Sequence, residues 1–415
     1  MFTSHQRSTP TQDSVRRQNL GALLRYVHVS GDTSRAELTN QLGLNRSTIG
    51  ALTADLAGAG LIDEGTPQET GRAGRPSLVV RPRSSRVYGY ALSIEVDRLR
   101  AARVGLGGKV LDSRELPRPH GTAVRDTVTT LAGFVRDMQR TASPDGVFVG
   151  SGIAVSRMMR HADGVVRMLS ATVSAVDGVA VAAGTAAAAA DVVAGLGARL
   201  GAELGAAFGG QLGLDRPPMI GTVADLAALA EHTRGAAAGL DNVVHLHGDA
   251  GISAGIIAGG RRVTGQGGHG GEVGHMVVNP QGRECGCGSR GCWETEIARY
   301  VSLERGAVRA CVDAARLGDP AARAAVRHAA DWLGFGVANL VNIFNPTAVV
   351  FGGALRELYL AGTAQVRGRL TTALPACREH LRLRTPLLGD DAPLVGAAEL
   401  AFERLLADPL ETAES

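Results

Sequence analysis

Apolar side chains recur at Leu20, Leu23, Leu24 and Val27, the i, i+3, i+4, i+7 spacing of a helix with one buried face. The chain therefore starts with a helix over Ser14–Val29, ended by Gly31. Ser34 and Glu37 form a capping box that opens a short helix, Arg35–Leu42, closed by Gly43. Asn45 caps a third helix, which turns Ile49, Leu52 and Leu56 inward and stops near Gly58–Gly60. Leu61–Glu64 and Leu78–Arg81 read as short strands, joined by a Gly/Pro/Thr-rich tip from Gly65 to Pro76. Three helices followed by a β-ribbon is the order of a winged helix-turn-helix, expected over residues 1–86.

From Val87 the pattern changes to α/β. Tyr88–Ile94 and Arg100–Leu106 read as strands, Gly107-Gly108 as a hairpin turn and Lys109–Leu116 as a third strand, followed by a helix from about Thr122 to Arg140 and a buried strand, Val147–Val155. The stretch Ala171–Gly213 is rich in Ala and Gly and carries only weak helical patterning. Strands resume at Asn242–His247, Gly255–Ile257 and Ala348–Phe351, with helical patterns at Trp293–Arg316, Pro320–Phe344 and Leu394–Leu406. Two similar α/β lobes joined by helices fit this order, the first over 87–215 with 394–415 returning to it, the second over 216–393.

A chain of 415 residues has room for two or three domains, and 45% apolar with 20% charged residues is an ordinary soluble composition. Residues 1–90 carry 11 Arg against 7 acidic side chains, whereas the remainder is balanced, so the net charge of +3 arises at the N-terminus. That positive segment coincides with the winged helix, which points to double-stranded DNA as partner. Arg46, Ser47 and Thr48 open the third helix, where side chains reach base edges in the major groove. Arg72 and Arg75, set among small residues at the wing tip, suit a narrow minor groove. The alternative is a solvated wing used for protein contacts. One winged helix buries little surface, so a homodimer on two half-sites is expected.

Five cysteines are too few for a disulfide framework, and three of them lie between Cys285 and Cys292. His275, Cys285, Cys287 and Cys292 supply one imidazole and three thiolates, the usual tetrahedral set for structural zinc, with Gly286, Gly288 and Gly291 allowing a tight wrap. The competing reading is three unligated thiols beside a core histidine. The N-terminus lacks an apolar secretory core. In Gly178–Ala198, Asp191 at about +3 kcal/mol offsets the few Val and Leu, so no membrane span is expected and the protein is read as cytoplasmic.

The segment from His247 to Glu296, with its Gly-Glu-Val-Gly-His and Cys-Gly-Cys-Gly-Ser-Arg-Gly-Cys runs, resembles the signature region of the ROK family, which contains bacterial sugar kinases and transcriptional repressors. The stretches beginning at Ala224, Leu333 and Leu388 are similar to it as well. The resemblance implies a two-lobed, actin-like or ribonuclease-H-like sugar-kinase fold behind the winged helix. It also implies a sugar site built on Glu272, His275 and Glu294, the competing role for the two carboxylates being support of the zinc site.

Two departures from the family pattern bear on activity. The Asp-x-Gly-Gly-Thr phosphate turn of the kinases matches Ser93-Ile94-Glu95-Val96-Asp97 here, and Glu95 and Asp97 would repel phosphates. The catalytic Asp of the kinases matches Val223, which cannot take a proton. Asp225 lies two positions further on. Where the family's sugar loop carries Asn, this chain has Ser170, and a partly preserved glycine loop, Gly251–Gly255, fits a nucleotide loop or a tight turn between strands. The expected function is a DNA-binding transcriptional regulator sensing a sugar or sugar derivative, without kinase catalysis. A sugar kinase with an appended DNA-binding domain and a ligand-independent DNA-binding dimer are the alternatives.

Overall fold

The computed structural model describes residues 11–66, 77–119, 122–156, 206, 214, 216–249, 251–266 and 270–414. The wing tip with Arg72 and Arg75, the sugar-loop position Ser170, the span tested at 178–198 and almost all of the Ala-rich stretch lie outside them.

The N-terminal unit consists of α1 (Gln12–Ser30), β1 (Thr33–Ser34), α2 (Arg35–Leu42), α3 (Arg46–Gly58), β2 (Ile62–Gly65) and β3 (Val79–Pro82), the strands forming a small sheet in the order β1-β3-β2. The caps are those the sequence implies: Ser34 accepts from Glu37 N–H and Asn45 from Thr48 N–H. Arg35 makes a two-pronged contact with Glu64, at 2.7 and 2.5 Å, tying α2 to the wing.

The rest of the chain forms two five-stranded sheets of one design. The first contains β4 (Val87–Ile94), β5 (Arg98–Gly105), β6 (Val110–Pro117), β7 (Val147–Val155) and β8 (Met219–Thr222) in the order β6-β5-β4-β7-β8, with α4 (Val124–Arg140) on one face. After α5 (Val223–Arg234), the second contains β9 (Val243–Gly248), β10 (Ile252–Ala258), β11 (Arg261–Arg262), β12 (Ala348–Gly353) and β13 (Arg382–Arg384) in the order β11-β10-β9-β12-β13. In each, three antiparallel strands in a meander are followed by two parallel ones. The repetition is of topology, which no fixed sequence period announces.

Helices α6 (Trp293–Ala298), α7 (Arg305–Arg316), α8 (Pro320–Phe344), α9 (Ala354–Ala361), α10 (Thr363–Arg369) and α11 (Pro375–Arg378) belong to the second half, and α12 (Ala392–Ala407) and α13 (Pro409–Glu414) complete the chain. Helix α12 lies flush on the first sheet because glycines face it: a Cβ at Gly152 would sit 2.0 Å from the Ala397 carbonyl oxygen. Helices α5 and α12 also touch through backbone, a Cβ at Gly396 falling 1.9 Å from the Leu226 carbonyl oxygen.

Two expectations change, and of two readings left open for a third segment the structure fits one. Strand β8 pairs in parallel with β7, so the first sheet extends past residue 215 to Thr222, where Thr222 caps α5. The pattern Trp293–Arg316 is two helices, because Val301 and Leu303 are both buried and two residues apart on one helix would face opposite ways. Residues Ile252–Gly255 of the supposed glycine loop belong to strand β10, which leaves a tight turn in which Asp249 N–H donates to the Gly251 carbonyl.

The winged helix is not a detached module. Leu20, Leu23, Leu24 and Val27 of α1 share one buried cluster with Ala397, Phe402, Leu405 and Leu406 of α12 and Val87 and Val104 of the first sheet. No helix among the described residues is long and apolar enough to cross a membrane.

Candidate functional site

Arg46 and Ser47 are exposed at the start of α3 and Thr48 is half-buried. The Ser47 hydroxyl donates to the Asn45 side-chain oxygen at 2.7 Å, and the Thr48 N–H donates to the same oxygen at 2.8 Å. Asn45 thus holds the first turn in place, and Arg46 is the long cationic side chain projecting from it. A helix N-terminus with a cation beside it is a good receptor for a phosphate or a guanine edge.

His275, Cys285, Cys287 and Cys292 converge, their ligand atoms all within 4.8 Å of one another. His275 Nδ1 is 3.6 Å from Cys285 Sγ, and Cys287 Sγ is 3.6 Å from Cys292 Sγ. Tetrahedral zinc with bonds of about 2.3 Å requires edges of about 3.8 Å, so the donors have the spacing the ion needs. The local chain makes this possible. Cys285 N–H donates to the Ser289 carbonyl, Gly288 and Gly291 have φ of 91° and 71°, and Cys292 directly precedes α6. Burial pushes the Cys285 thiol up to about 12 and also raises Cys292, whose neighbour Cys287 adds to the effect. Buried thiols held this high become thiolates only beside a cation, which a metal ion held by these four donors would supply.

Glu294 leans on this cluster: Oε1 lies 3.6 Å from Cys285 Sγ and 3.7 Å from His275 Nδ1, while Oε2 accepts from the Ile252 N–H at 3.2 Å. Glu272 directly precedes the short turn of 3-10 helix that carries His275. With Nδ1 turned to the thiols, Nε2 is the imidazole nitrogen left for a ligand. The fold thus brings Glu294 and His275 together, and it shows Glu294 supporting the cysteine cluster as well as facing β10.

The positions that match the kinase motifs carry different side chains. Glu95 is buried, accepts from the Ser93 hydroxyl at 3.2 Å and pairs with Arg98 at 2.8 Å and Arg100 at 3.9 Å. A carboxylate neutralised from within occupies the turn that would cradle phosphate. Val223 is buried at the head of α5, and Asp225 is bound to Arg262 at 2.7 Å, which reaches on to Glu403 at 3.2 Å.

A buried polar cluster went unforeseen. His28, at the end of α1, accepts the Gly107 N–H at Nδ1 (2.9 Å) and so donates from Nε2 to Glu399 of α12 at 3.2 Å. Arg234, at the end of α5, donates to the other Glu399 oxygen at 2.5 Å and to the carbonyls of His28, Val29 and Gly107. Burial acts to raise the Glu399 carboxyl, but His28 and Arg234 outweigh it and hold it below its ordinary value. His28, Arg234 and Glu399 are each more than a hundred residues apart in sequence, and only the amphipathic mismatch of a histidine on the apolar face of α1 hinted at them.

A winged helix fused to a two-sheet core with a Cys3His centre defines a class in which DNA-binding and sugar-kinase-like parts form one chain. The ROK family model matches residues 211–404. The glucokinase of Streptomyces coelicolor is 32% identical over 214 residues, spanning 45% of this chain and 68% of that protein. The xylose repressor of Bacillus spizizenii is 24% identical over 408 residues, 95% of this chain and 97% of its own length. The crystal structure of a ROK family transcriptional regulator, a homologue of the E. coli MLC protein, superposes with a TM-score of 0.72 at 23% identity, covering 97% of this chain and all of that one. The chain belongs to the ROK family.

Proposed function

We propose that the protein is a DNA-binding transcriptional regulator of ROK type, a cytoplasmic repressor that binds a double-stranded operator as a homodimer, carries one structural zinc per chain and has lost kinase activity. The observation that carries this reading is the pairing of a winged helix with a kinase-like core in which Glu95 fills the phosphate turn and Val223 stands at the base position. The whole-length likeness to a protein named as a xylose repressor supports it. Arg46, Ser47 and Thr48 read the major groove, and Arg72 and Arg75 enter the minor groove. His275, Cys285, Cys287 and Cys292 hold the zinc. Glu272, His275 and Glu294 form the polar wall of the effector site, and Val223 favours a sugar derivative that turns an apolar or smaller group toward it.

The test is selection of duplexes from a random-sequence pool by the full-length protein, followed by gel-shift titration of the enriched sequence. A palindromic site bound far more tightly than bulk DNA is expected. Absence of any enriched sequence sinks the reading. Calorimetry with pentoses, hexoses, amino sugars and their phosphates then identifies the effector. Unmodified glucose binding tightly, with Glu294→Ala making no difference, overturns the pocket assignment.

A further inference from the structure

Two polypeptide paths meet at Arg234. One starts at the candidate effector site, where the Glu294 carboxylate holds the Ile252 N–H at the start of β10. Three residues along that strand, Gly255 lies against α5 so closely that a Cβ there would fall 2.3 Å from the Ala224 carbonyl oxygen. Strand and helix touch through backbone at this point, so a shift of β10 cannot be absorbed by side-chain rearrangement and must move α5. Helix α5 is then pinned to α12 at both ends, by Asp225–Arg262–Glu403 at its head and by Arg234–Glu399 at its tail. The other path starts at α3 and runs through the winged-helix core into α1, whose last turn contains His28 and Val29.

Arg234 closes the gap between them. Its guanidinium donates to the backbone carbonyls of His28 and Val29, the open end of α1, while its Nε holds Glu399. The imidazole of His28 binds the same carboxylate and packs at a tilt against Phe402, ring centroids 4.9 Å apart. Beside this junction lies a cavity of about 210 Å³, lined by Ala102, Val104, Val395 and Ala398 together with Arg234 and Glu399. The paired side chains therefore have open space on one side into which they can shift without compressing the core.

We infer that Arg234 is a positioning residue that couples the effector half of the molecule to the orientation of the winged helix, with α5 and α12 moving as the connecting body. It rests on the reading of the protein as a DNA-binding regulator. Arg234 contacts no DNA in this scheme. It fixes where the end of α1 sits relative to α5, and through the shared core it fixes the angle at which α3 meets a groove. Because two half-sites must be met at once, a small change in that angle is magnified in operator affinity.

The experiment is a double-mutant cycle on the full-length chain, with Asp225→Asn at the head of α5, Arg234→Gln at its tail, and the duplex enriched by the wild type as probe. The two positions are about 14 Å apart along the helix and share no partner, so as independent sites their fold-changes in operator affinity multiply to within about twofold. Coupling predicts that each single variant loses about fivefold or more. The double variant then loses no more than the weaker-binding single variant, falling short of the product by more than threefold. Affinity for non-specific duplex stays within twofold throughout, and amide exchange in the last turn of α1 rises in both Arg234→Gln chains. If Arg234→Gln does not purify as a folded protein, Glu399→Gln replaces it in the same cycle, since it removes one of the two contacts made by that carboxylate. Multiplicative losses, or an Arg234→Gln chain that binds operator like the wild type, overturn the coupling while leaving the DNA-binding reading intact. A wild type that enriches no duplex overturns both.

Discussion

Arg46 stands exposed on the first turn of α3, and that turn is held by Asn45, so its removal would take away the proposed base contact without loosening the helix. Arg46→Ala should therefore cost about 1–3 kcal/mol of discrimination at one base pair of each half-site and leave stability unchanged. Gel shifts on single-base variants of the operator measure this, and a uniform loss across all variants would mean that Arg46 touches only phosphate. Among the cysteines, Cys287 is the exposed one, whereas Cys285 and Cys292 are buried. Cys287→Ser can thus be accommodated sterically, and what it changes is the donor, since a hydroxyl binds zinc far less well than a thiolate. Elemental analysis should find about one zinc per wild-type chain and a clear deficit in the variant. Wild-type protein from metal-replete growth that contains no zinc contradicts the assignment of this centre.

At the level of elements, the turn between β4 and β5 decides the chemistry. In it Glu95 is buried and paired with two arginines, so ATP phosphates would meet a turn already filled by a carboxylate that holds those cations. A coupled assay over pentoses, hexoses and amino sugars should show no ATP turnover. Val223→Asp alone should not produce it, because that change leaves Glu95 in the turn between β4 and β5. Turnover by the wild type would establish the kinase alternative. The elements most legible in the sequence were those with local signals: the helix caps at Ser34 and Asn45, the strand-like runs of β4 to β7 with the Gly107-Gly108 turn, and the Cys/His spacing, whose three cysteines lie within eight residues of one another. Strand β8 was missed because four half-buried residues carry no period of their own and become a strand only by pairing with β7. The break between α6 and α7 was hidden because a count of apolar residues does not register that Val301 and Leu303 both turn inward. The His28–Glu399–Arg234 cluster was out of reach for a deeper reason, since long-range pairing of single polar residues leaves no pattern along a chain.

At the scale of the whole molecule, that cluster joins the winged helix, α5 and α12 into one unit with a definite pH response. Glu399 is held below its ordinary value of 4.5 in the folded protein, so its contribution is complete above that value. It is lost as the pH falls through the depressed value. Glu399→Gln, which leaves Arg234 facing an uncharged partner, should cost roughly 3 kcal/mol at neutral pH, and the gap to wild type should narrow below pH 4.5 in urea titrations. A gap that is constant with pH would show that the carboxylate contributes no charge interaction. The shared core carries the last consequence. Four apolar residues of α1 are buried in the same cluster as α12, at about 1.5–3 kcal/mol each, which is comparable with the whole stability of a small domain. Helix α1 therefore cannot unfold without uncovering Phe402, Leu405 and Leu406. Native-state hydrogen exchange should give the amides of Leu23–Val27 the same opening free energy as those of Leu400–Leu406, with both sets falling together in Glu399→Gln. If α1 opened about tenfold or more often than α12, the winged helix would be an independently folding module tethered by residues 83–86, and the rigid junction at Arg234 would have no mechanical basis.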